Sequence, residues 1–311
     1  MRVTLVHNPD AGSGSPTRSE LSAWLSDSGY QVRYQSAKSE DLPGSLAEPG
    51  DLVVVAGGDG TVADVVRAVA GRGIPIAILP LGTANNIANT FGIRGAAPDI
   101  IRRLHRDPAR TLDVGSARAA WGRSEFVESA GVGLFARVLL DAEHEEDIVG
   151  HDAGRRDLVK GRGDRMTKVL SLTRPVRRRV LADGIDLSDE YLFVAAFNIP
   201  FIGPRLSLAP DADPGDGRLD LLLLREADRD HLAGYLERVS HGVDARLAIA
   251  TRKCEEIVIG WDSSSGHLDD GVWPSHDQIG SARTALNPDV VLTLDARGVT
   301  ILGASPRSPA A

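Results

Sequence analysis

Cysteine is nearly missing from this chain. Cys254 is the only one in 311 residues, which rules out disulfides within the chain and favours a cytoplasmic setting. Long apolar runs are missing too, since none approaches the roughly 18 residues that cross a bilayer. The N-terminus, MRVTLVHNP, has neither the apolar core nor the small-residue cleavage site of a signal peptide, and reads as a first strand. Positive charge is in deficit: a net charge of −8 argues against general nucleic-acid binding. No internal repeat is visible. The eight histidines show no metal spacing of the HxxxH kind, and there is no GxxxxGK[ST] phosphate loop.

What is present begins with Asp51 to Thr61, DLVVVAGGDGT. Four apolar residues, Leu52 to Val55, read as a strand buried on both faces, as in a parallel sheet. Gly57, Gly58, Asp59, Gly60 and Thr61 form a turn. Val62, Val65, Val66 and Val69 then repeat at the spacing of one helix face. Strand, glycine turn and helix together expose backbone N–H groups to an anion. Asp59 is acidic where a phosphate would sit, which requires a cation between them.

Two further polar turns accompany it. Arg2 to His7 reads as a strand running into NPDAGSGSP, with Ser15 as a helix N-cap and Pro16 at the first helical position. Leu21, Trp24 and Leu25 supply the buried stripe of that helix. Gln31 to Gln35 is a short strand with Ser36 at its carboxyl end. Ile74 to Leu79 is another strand, followed by PLGTANN and a helix over about 87–91, and a further helix covers 99–106. Strands alternating with helices indicate a three-layer α/β domain with a parallel sheet, over residues 1–112. Turns after Asn8, Ala56 and Leu79 would converge on the carboxyl edge of that sheet, where such folds bind ligands.

Past Asp113 the pattern becomes short strands: 126–129, 191–197, 219–224, 256–259, 290–295 and 299–302. Helical patterns cover only 135–146 and 228–239. A second, β-rich domain over 113–303 is expected, with a disordered tail over 304–311. From Arg155 to Arg179 there are ten Lys or Arg against two Asp, a net +8 that leaves −16 for the rest. That segment reads either as a solvated, loosely ordered basic face or as a patch that holds the protein on anionic lipid.

Several motifs occur in one order: Asn8-Pro9 with Gly12 and Gly14; Gly57-Gly58-Asp59-Gly60-Thr61 with Asp64; Pro80-Leu81-Gly82-Thr83-Ala84-Asn85-Asn86; Asp113-Val114-Gly115; Ser129 to Gly133; and Ala209-Pro210 followed by Asp216-Gly217-Arg218-Leu219-Asp220. As an ordered set they resemble the diacylglycerol kinase catalytic family, which includes bacterial lipid kinases and sphingosine kinases. The resemblance implies a first domain like those of phosphofructokinases and NAD kinases, a β-sandwich second domain, and an ATP-dependent kinase acting on a lipid hydroxyl at a membrane surface. By carry-over, ATP would contact Asn8, Pro9, Asp10, Ala11, Gly12, Ser36, Gly57, Gly58, Asp59, Gly60, Thr61, Asp64 and Thr83. Backbone amides and the Ser36, Thr61 and Thr83 hydroxyls suit phosphate oxygens, and Asp59 would act through Mg²⁺.

The turn at Asp213 and Asp216 is a plain turn on one reading. Asp211, Asp213 and Asp216 also have an oxygen-rich spacing suited to a hard cation. The resemblance implies a structural Mg²⁺ there, held by Asp213, Asp216 and the Arg218 carbonyl. Gly131 and Gly133 read as strand-end turns.

One departure stands out. The family carries Asp-Gly-Glu late in the second domain, with carboxylates that deprotonate the lipid hydroxyl. Here the stretch is Leu268-Asp269-Asp270-Gly271-Val272, and a valine cannot accept a proton. Asp270 is the expected base, with Asp269 second. On an extended segment the two would point to opposite faces. Two other readings stand beside a lipid kinase: an NAD kinase-like enzyme, which shares the GGDG turn but not PLGTANN, and a nucleotide- or lipid-binding protein without phosphoryl transfer. The oligomeric state is open, with a homodimer among the options.

Overall fold

Four parallel strands, β1 (Arg2–His7), β2 (Gln31–Ser36), β3 (Leu52–Gly57) and β4 (Ile76–Pro80), frame the first part of the computed structural model. The structure describes residues 1–149, 155–243, 245–262, 264–275, 278, 280–281 and 288–305. The chain divides into two units, Met1–Val114 with the segment from Ala296, and Gly115–Asp295.

In the first unit the strand order is β2-β1-β3-β4, and Ile301 and Leu302 pair in parallel with Ile76 and Ala77 of β4. Helices α1 (Arg18–Asp27), α2 (Leu42–Ser45), α3 (Asp59–Val69), α4 (Asn86–Thr90) and α5 (Ala97–Arg103) connect the strands or follow them. All six residues of β3 are buried, which accounts for its unbroken apolar run. Val62, Val65, Val66 and Val69 of α3 are at most 1% exposed, each worth about 1.5–3 kcal/mol of burial. The cap of α1 differs from expectation. Thr17, not Ser15, is the N-cap, because Glu20 stands three residues on and closes a capping box with it.

Strand β5 (Arg110–Ala119) leads into the second unit. There follow β6 (Gly122–Phe126), β7 (Ser129–Gly133), α6 (Leu134–Val149), α7 (Arg155–Leu172), β8 (Val176–Arg178), β9 (Val180–Ala182), β10 (Ile185–Asp186), β11 (Asp189–Tyr191), β12 (Phe193–Phe197), β13 (Phe201–Ile202), β14 (Leu206–Ser207) and β15 (Leu219–Leu224). Helix α8 (Arg229–Ser240) precedes β16 (Arg252–Cys254), β17 (Glu256–Gly260), β18 (Gly266–Leu268), β19 (Gly271–Trp273) and β20 (Asp289–Leu302). One antiparallel sheet has the order β16-β15-β12-β7-β18-β19, and β10-β9-β17 continues onto residues 289–293 of β20.

Alternation along β12 shows how these layers stack. Val194 and Ala196 join Val180, Ile257, Ile259, Val290 and Leu292 in a core between the two sheets. Phe193, Ala195 and Phe197 join Leu134, Phe135, Met166, Leu232 and Tyr235 in a second core under the helices. Successive side chains of a strand point to opposite faces, so a strand covered on both sides is apolar throughout.

Several sequence expectations change here. The run 126–129 is a corner between β6 and β7, and Gly131 lies inside β7 rather than at its end. The two strands expected over 290–302 are one, β20. Its Gly298 serves close approach, since a Cβ there would lie 2.7 Å from Thr111 Cγ2. Because β20 ends beside β4, the segment from Ala296 belongs to the first unit, which alters the expected division at 112/113 and 303/304. Ala304 is fully buried. Its N–H donates to Pro108 O at 3.0 Å, and the Ser305 N–H donates to Phe91 O at 2.8 Å. The expected disorder therefore does not hold at these two residues, and 306–311 lie outside the described residues.

The basic segment holds a helix, α7, that its charge and its glycines hide. Its described cations are partly paired. Arg165 and Lys168 approach Asp141 at 3.8 and 3.9 Å, Arg178 meets Asp262 at 2.6 Å, and Arg179 meets Asp289 at 2.6 Å. The side chains at 155–163 lie outside the described residues.

Gly131 sits where β7 passes closest to β12. A Cβ there would come within 2.4 Å of Val194 O and 2.8 Å of Ala195 Cα, both backbone atoms that cannot move aside. Gly131→Ala is expected to lower unfolding free energy by about 3 kcal/mol, measured by urea denaturation.

Candidate functional site

The strands of the first unit end in register. His7 pairs with Ser36 on one side and Ala56 on the other, and Ala56 pairs with Leu79. The turns that follow β1, β3 and β4 therefore leave the same edge, with Ser36 in the same row. The order reverses between β1 and β3, and such a reversal opens a crevice at the carboxyl ends of a parallel sheet. Asn8 spans it. Its N–H donates to Ala56 O at 2.9 Å, and its Nδ2 lies 3.5 Å from Thr61 Oγ1.

Glycines let these turns touch. A Cβ on Gly82 would lie 2.5 Å from Gly58 Cα, and one on Gly12, at φ +68°, would lie 2.6 Å from Leu81 O. A Cβ on Gly60 would meet nothing within 4 Å, so the space above the first turn of α3 is open. Gly58 is the N-cap of α3 and supplies no side-chain cap. The positive end of the helix dipole thus faces an open, glycine-lined recess, which is an anion-binding arrangement.

The polar side chains around this recess have definite partners. Asp59 Oδ1 accepts the Ile87 N–H at 2.9 Å, tying the start of α3 to the start of α4. Asn8 Oδ1 accepts the Asp10 N–H at 3.1 Å, and the Ala11 N–H donates to Asn8 O at 3.1 Å, with Pro9 between them. Ser36 Oγ accepts the Lys38 N–H at 3.2 Å, and the Lys38 ammonium pairs with the Asp10 carboxylate. Thr83 is half-buried in the turn between β4 and α4. Asn85, in the left-handed conformation at φ 52°, donates Nδ2 to Gly82 O at 2.7 Å. Its buried Oδ1 has no hydrogen-bond partner among the described residues. Asp64 is not gathered in, being exposed on α3 and paired with Arg67 at 3.1 Å. Sequence reasoning misses Lys38, because a lone lysine past β2 carries no motif and only the strand register brings it to Asp10.

In the second unit Asp269 and Asp270 are the two turn residues of the β18–β19 hairpin, since Leu268 pairs with Gly271. They do not sit on an extended segment, as the sequence implied. Asp269 adopts φ 51°, and its Oδ1 accepts the N–H groups of Val127 (2.9 Å), Glu128 (2.7 Å) and Ser129 (3.3 Å). The structure thus gives Asp269 a different task from the reserve base expected of it: it clamps the corner between β6 and β7. Asp270 is exposed and borders a pocket of about 60 Å³, lined otherwise by Phe135, Val138, Leu139, Ala142, Met166, Leu206 and neighbours, with Arg165 the other charged group among the described residues.

His267, at the centre of β18, is fully buried. Its ring lies edge-on to Phe135 at 5.0 Å and stacks on Phe193 at 5.8 Å. Burial pushes its pKa down to about 3, so the ring is neutral.

Asp216, expected to help hold a structural Mg²⁺, has protein partners here. Asp216 Oδ2 accepts from Lys253 Nζ at 2.6 Å, and the same ammonium reaches Asp220 Oδ2 at 3.1 Å. Asp220 is 1% exposed, and its charge is met by this lysine and by the Thr251 hydroxyl at 2.8 Å. The Arg218 N–H donates to Asp216 Oδ1 at 3.0 Å, and Asp211 is held by Arg246 at 2.7 Å. Burial alone would lower the Lys253 pKa, but Asp216 and Asp220 outweigh it and push it up. Among the described residues no group of three or more His, Cys, Asp or Glu is placed to hold a metal. The Lys253 ammonium thus sits on Asp216, one of the two carboxylates that the resemblance assigns to Mg²⁺.

Comparison with known proteins agrees with the two-part fold. The model of the diacylglycerol kinase catalytic domain matches residues 2–117, and that of the YegS C-terminal NAD kinase beta sandwich-like domain matches residues 165–266. A diacylglycerol kinase of Mycobacterium tuberculosis is 26% identical over 269 residues, 82% of this chain and 84% of that protein. One from Bacillus subtilis is 27% identical over 184 residues, 57% of this chain and 56% of that protein. The crystal structure of a diacylglycerol kinase from Bacillus anthracis superposes with a TM-score of 0.68 at 18% identity, covering 98% of this chain and 97% of that one. At that identity the likeness is one of fold.

Two outcomes follow for solution work. The melting temperature of the protein is expected to be unchanged by chelator or by millimolar Mg²⁺, whereas Lys253→Met, which strands the buried Asp220, should lose about 2 kcal/mol. A chelator-induced drop in the parent protein would return the metal to this turn. Between pH 6.5 and 3 the unfolded chain protonates His267 while the folded one does not. The stability this residue contributes is therefore complete above pH 6.5 and declines as pH falls through that window. His267→Phe should flatten the decline in denaturation curves taken from pH 7 to pH 4.

Proposed function

We propose, for a chain whose residues 2–117 belong to the diacylglycerol kinase catalytic family and whose residues 165–266 belong to the YegS C-terminal family, that it transfers the γ-phosphate of ATP to the hydroxyl of a lipid alcohol. The observation that carries this reading is Asp270, a carboxylate at the rim of an otherwise largely apolar pocket. A lipid alcohol has that character: a hydroxyl whose proton must leave, attached to chains that leave water. No helix among the described residues is long and apolar enough to cross a membrane, so on this reading the substrate is taken from a membrane surface.

The residues of the first unit bind and orient the donor. The open start of α3, from Gly58 to Thr61, and the turns at Gly12 and Thr83 receive the phosphate chain through backbone amides and hydroxyls. The unpartnered Asn85 Oδ1 is an acceptor suited to a nucleotide donor group. Mg²⁺ in such enzymes is held by one or two carboxylates together with the phosphates themselves. Asp59 is the fitting protein ligand, and the ion would offset charge on the transferring group. Asp270 accepts the hydroxyl proton as the substrate oxygen bonds to the γ-phosphorus and the bond to ADP breaks. Val272 leaves that task without a second carboxylate downstream.

Incubation with γ-labelled ATP and mixed lipid extract, with mass spectrometry of the product, tests the reading. A labelled lipid phosphate is expected. Asp270→Asn should reduce turnover by roughly 10²- to 10⁴-fold while nucleotide affinity stays near that of the parent. Labelled NADP would point to a different kinase, and ATP binding without any labelled product would leave only a binding protein.

A further inference from the structure

Helix α6 has pockets on both of its sides. Phe135, Val138, Leu139 and Ala142 border the pocket at Asp270. Arg137 and Leu140 border a second pocket, of about 170 Å³, with Arg174, Arg178, Asp262, Ser264 and Ser265. With 3.6 residues per turn the two sets fall on opposite faces of the helix. Nothing in the proposed reaction uses the second pocket.

Its chemistry is that of an anion site. Three arginines and one aspartate line it, beside Leu140, Val176, Tyr191 and Leu192. Arg178, with a side chain only 4% exposed, is held in place by Asp262 Oδ1 at 2.6 Å and Ser264 Oγ at 2.9 Å. Asp262 is itself fixed by the Ser264 hydroxyl at 2.6 Å, and its pKa is lowered, because Arg178 and Ser264 outweigh the effect of burial. One buried, oriented arginine is thus neutralised. Arg137 and Arg174, both exposed, line the pocket with no ion pair or hydrogen bond among the described residues. Among the described residues the surplus is two positive charges.

We propose that this pocket binds a phosphomonoester. Such a group carries about −1.5 to −2 charge at neutral pH, which matches the surplus, and arginine forks suit its oxygens in pairs. At about 30 Å³ per water, the volume suits a phosphoryl group with a short organic stem. It is below the 300 Å³ or so where drug-sized ligand sites begin. The same chemistry reaches the protein from two sources, a soluble phosphomonoester or the headgroup of a lipid phosphate, the class of product that the proposed reaction makes. Binding here does not depend on that reaction.

The full chain is titrated calorimetrically with sn-glycerol 3-phosphate, and in parallel by co-sedimentation with phosphatidylcholine vesicles with or without phosphatidic acid. The comparison is with the double variant Arg137→Gln, Arg174→Gln, whose exposed positions leave the fold intact, as an unchanged melting temperature would verify. Saturable binding in either arm, weakened at least about tenfold in the variant, supports the site. The soluble arm identifies a free phosphomonoester, and the vesicle arm alone identifies a lipid headgroup. No saturable binding of either probe, or equal binding by parent and variant, overturns it.

Discussion

Gly58 and Gly82 approach each other with no side chain between them, and the chemistry of the first unit depends on that approach. A Cβ on Gly82 would be 2.5 Å from Gly58 Cα, well inside any tolerable contact, so the turns after β3 and β4 can share one edge only if both positions stay bare. The contact sets where α3 and α4 begin relative to each other. It thereby sets the bond by which Asp59 on α3 accepts the Ile87 N–H on α4 at 2.9 Å. An aspartate at the mouth of the glycine-lined recess is held to the helix that follows the neighbouring turn. The carboxylate expected to work beside phosphate also fastens two helices, and its orientation follows from sheet register rather than from the turn alone.

The second unit is governed by a different constraint, burial of one sheet on both faces. Strand β12 sends Phe193, Ala195 and Phe197 to the helices and Val194 and Ala196 to the facing sheet, so no residue of it can be polar. Its neighbour β7 answers with Gly131, whose bare Cα lets the strands close. The hairpin that follows the buried His267 is anchored by Asp269, which collects three consecutive backbone amides. Those amides would otherwise be unpaired at a partly buried corner, a cost of about 1–3 kcal/mol each.

How much of this was legible depended on whether a residue's partner was close in sequence. The turns at Asn8, Gly57 and Leu81 were readable because glycine, aspartate and flanking apolar runs lie side by side in the chain. Their convergence followed from the rule that parallel strands present one end. Thr17 was obscured by Ser15-Pro16, a plausible start that lacked a glutamate three residues on. Helix α7 was invisible because Gly161 and Gly163 lower local helix propensity and like charges repel along the helix, while Met166, Val169 and Leu170 hold it through tertiary burial. Lys253 could not be found from sequence at all. It stands 37 residues from Asp216 and 33 from Asp220, and only the pairing of β15 with β16 carries it there.

Carboxylates that look alike in sequence differ in their surroundings. A general base must give up its existing contacts to take a proton, and hydrogen bonds to an ionised group are worth about 1.5–3 kcal/mol each. Asp269 accepts three backbone N–H groups through one oxygen, so protonating it would weaken the clamp on which the hairpin depends. Asp216 and Asp220 share an ammonium, and Asp64 is paired with Arg67. Asp270 follows Asp269 by one residue, on the same turn, and borders the largely apolar pocket. On the proposed reading the clamp and the base are complementary. On that reading Asp269 fixes the turn from which Asp270 is presented.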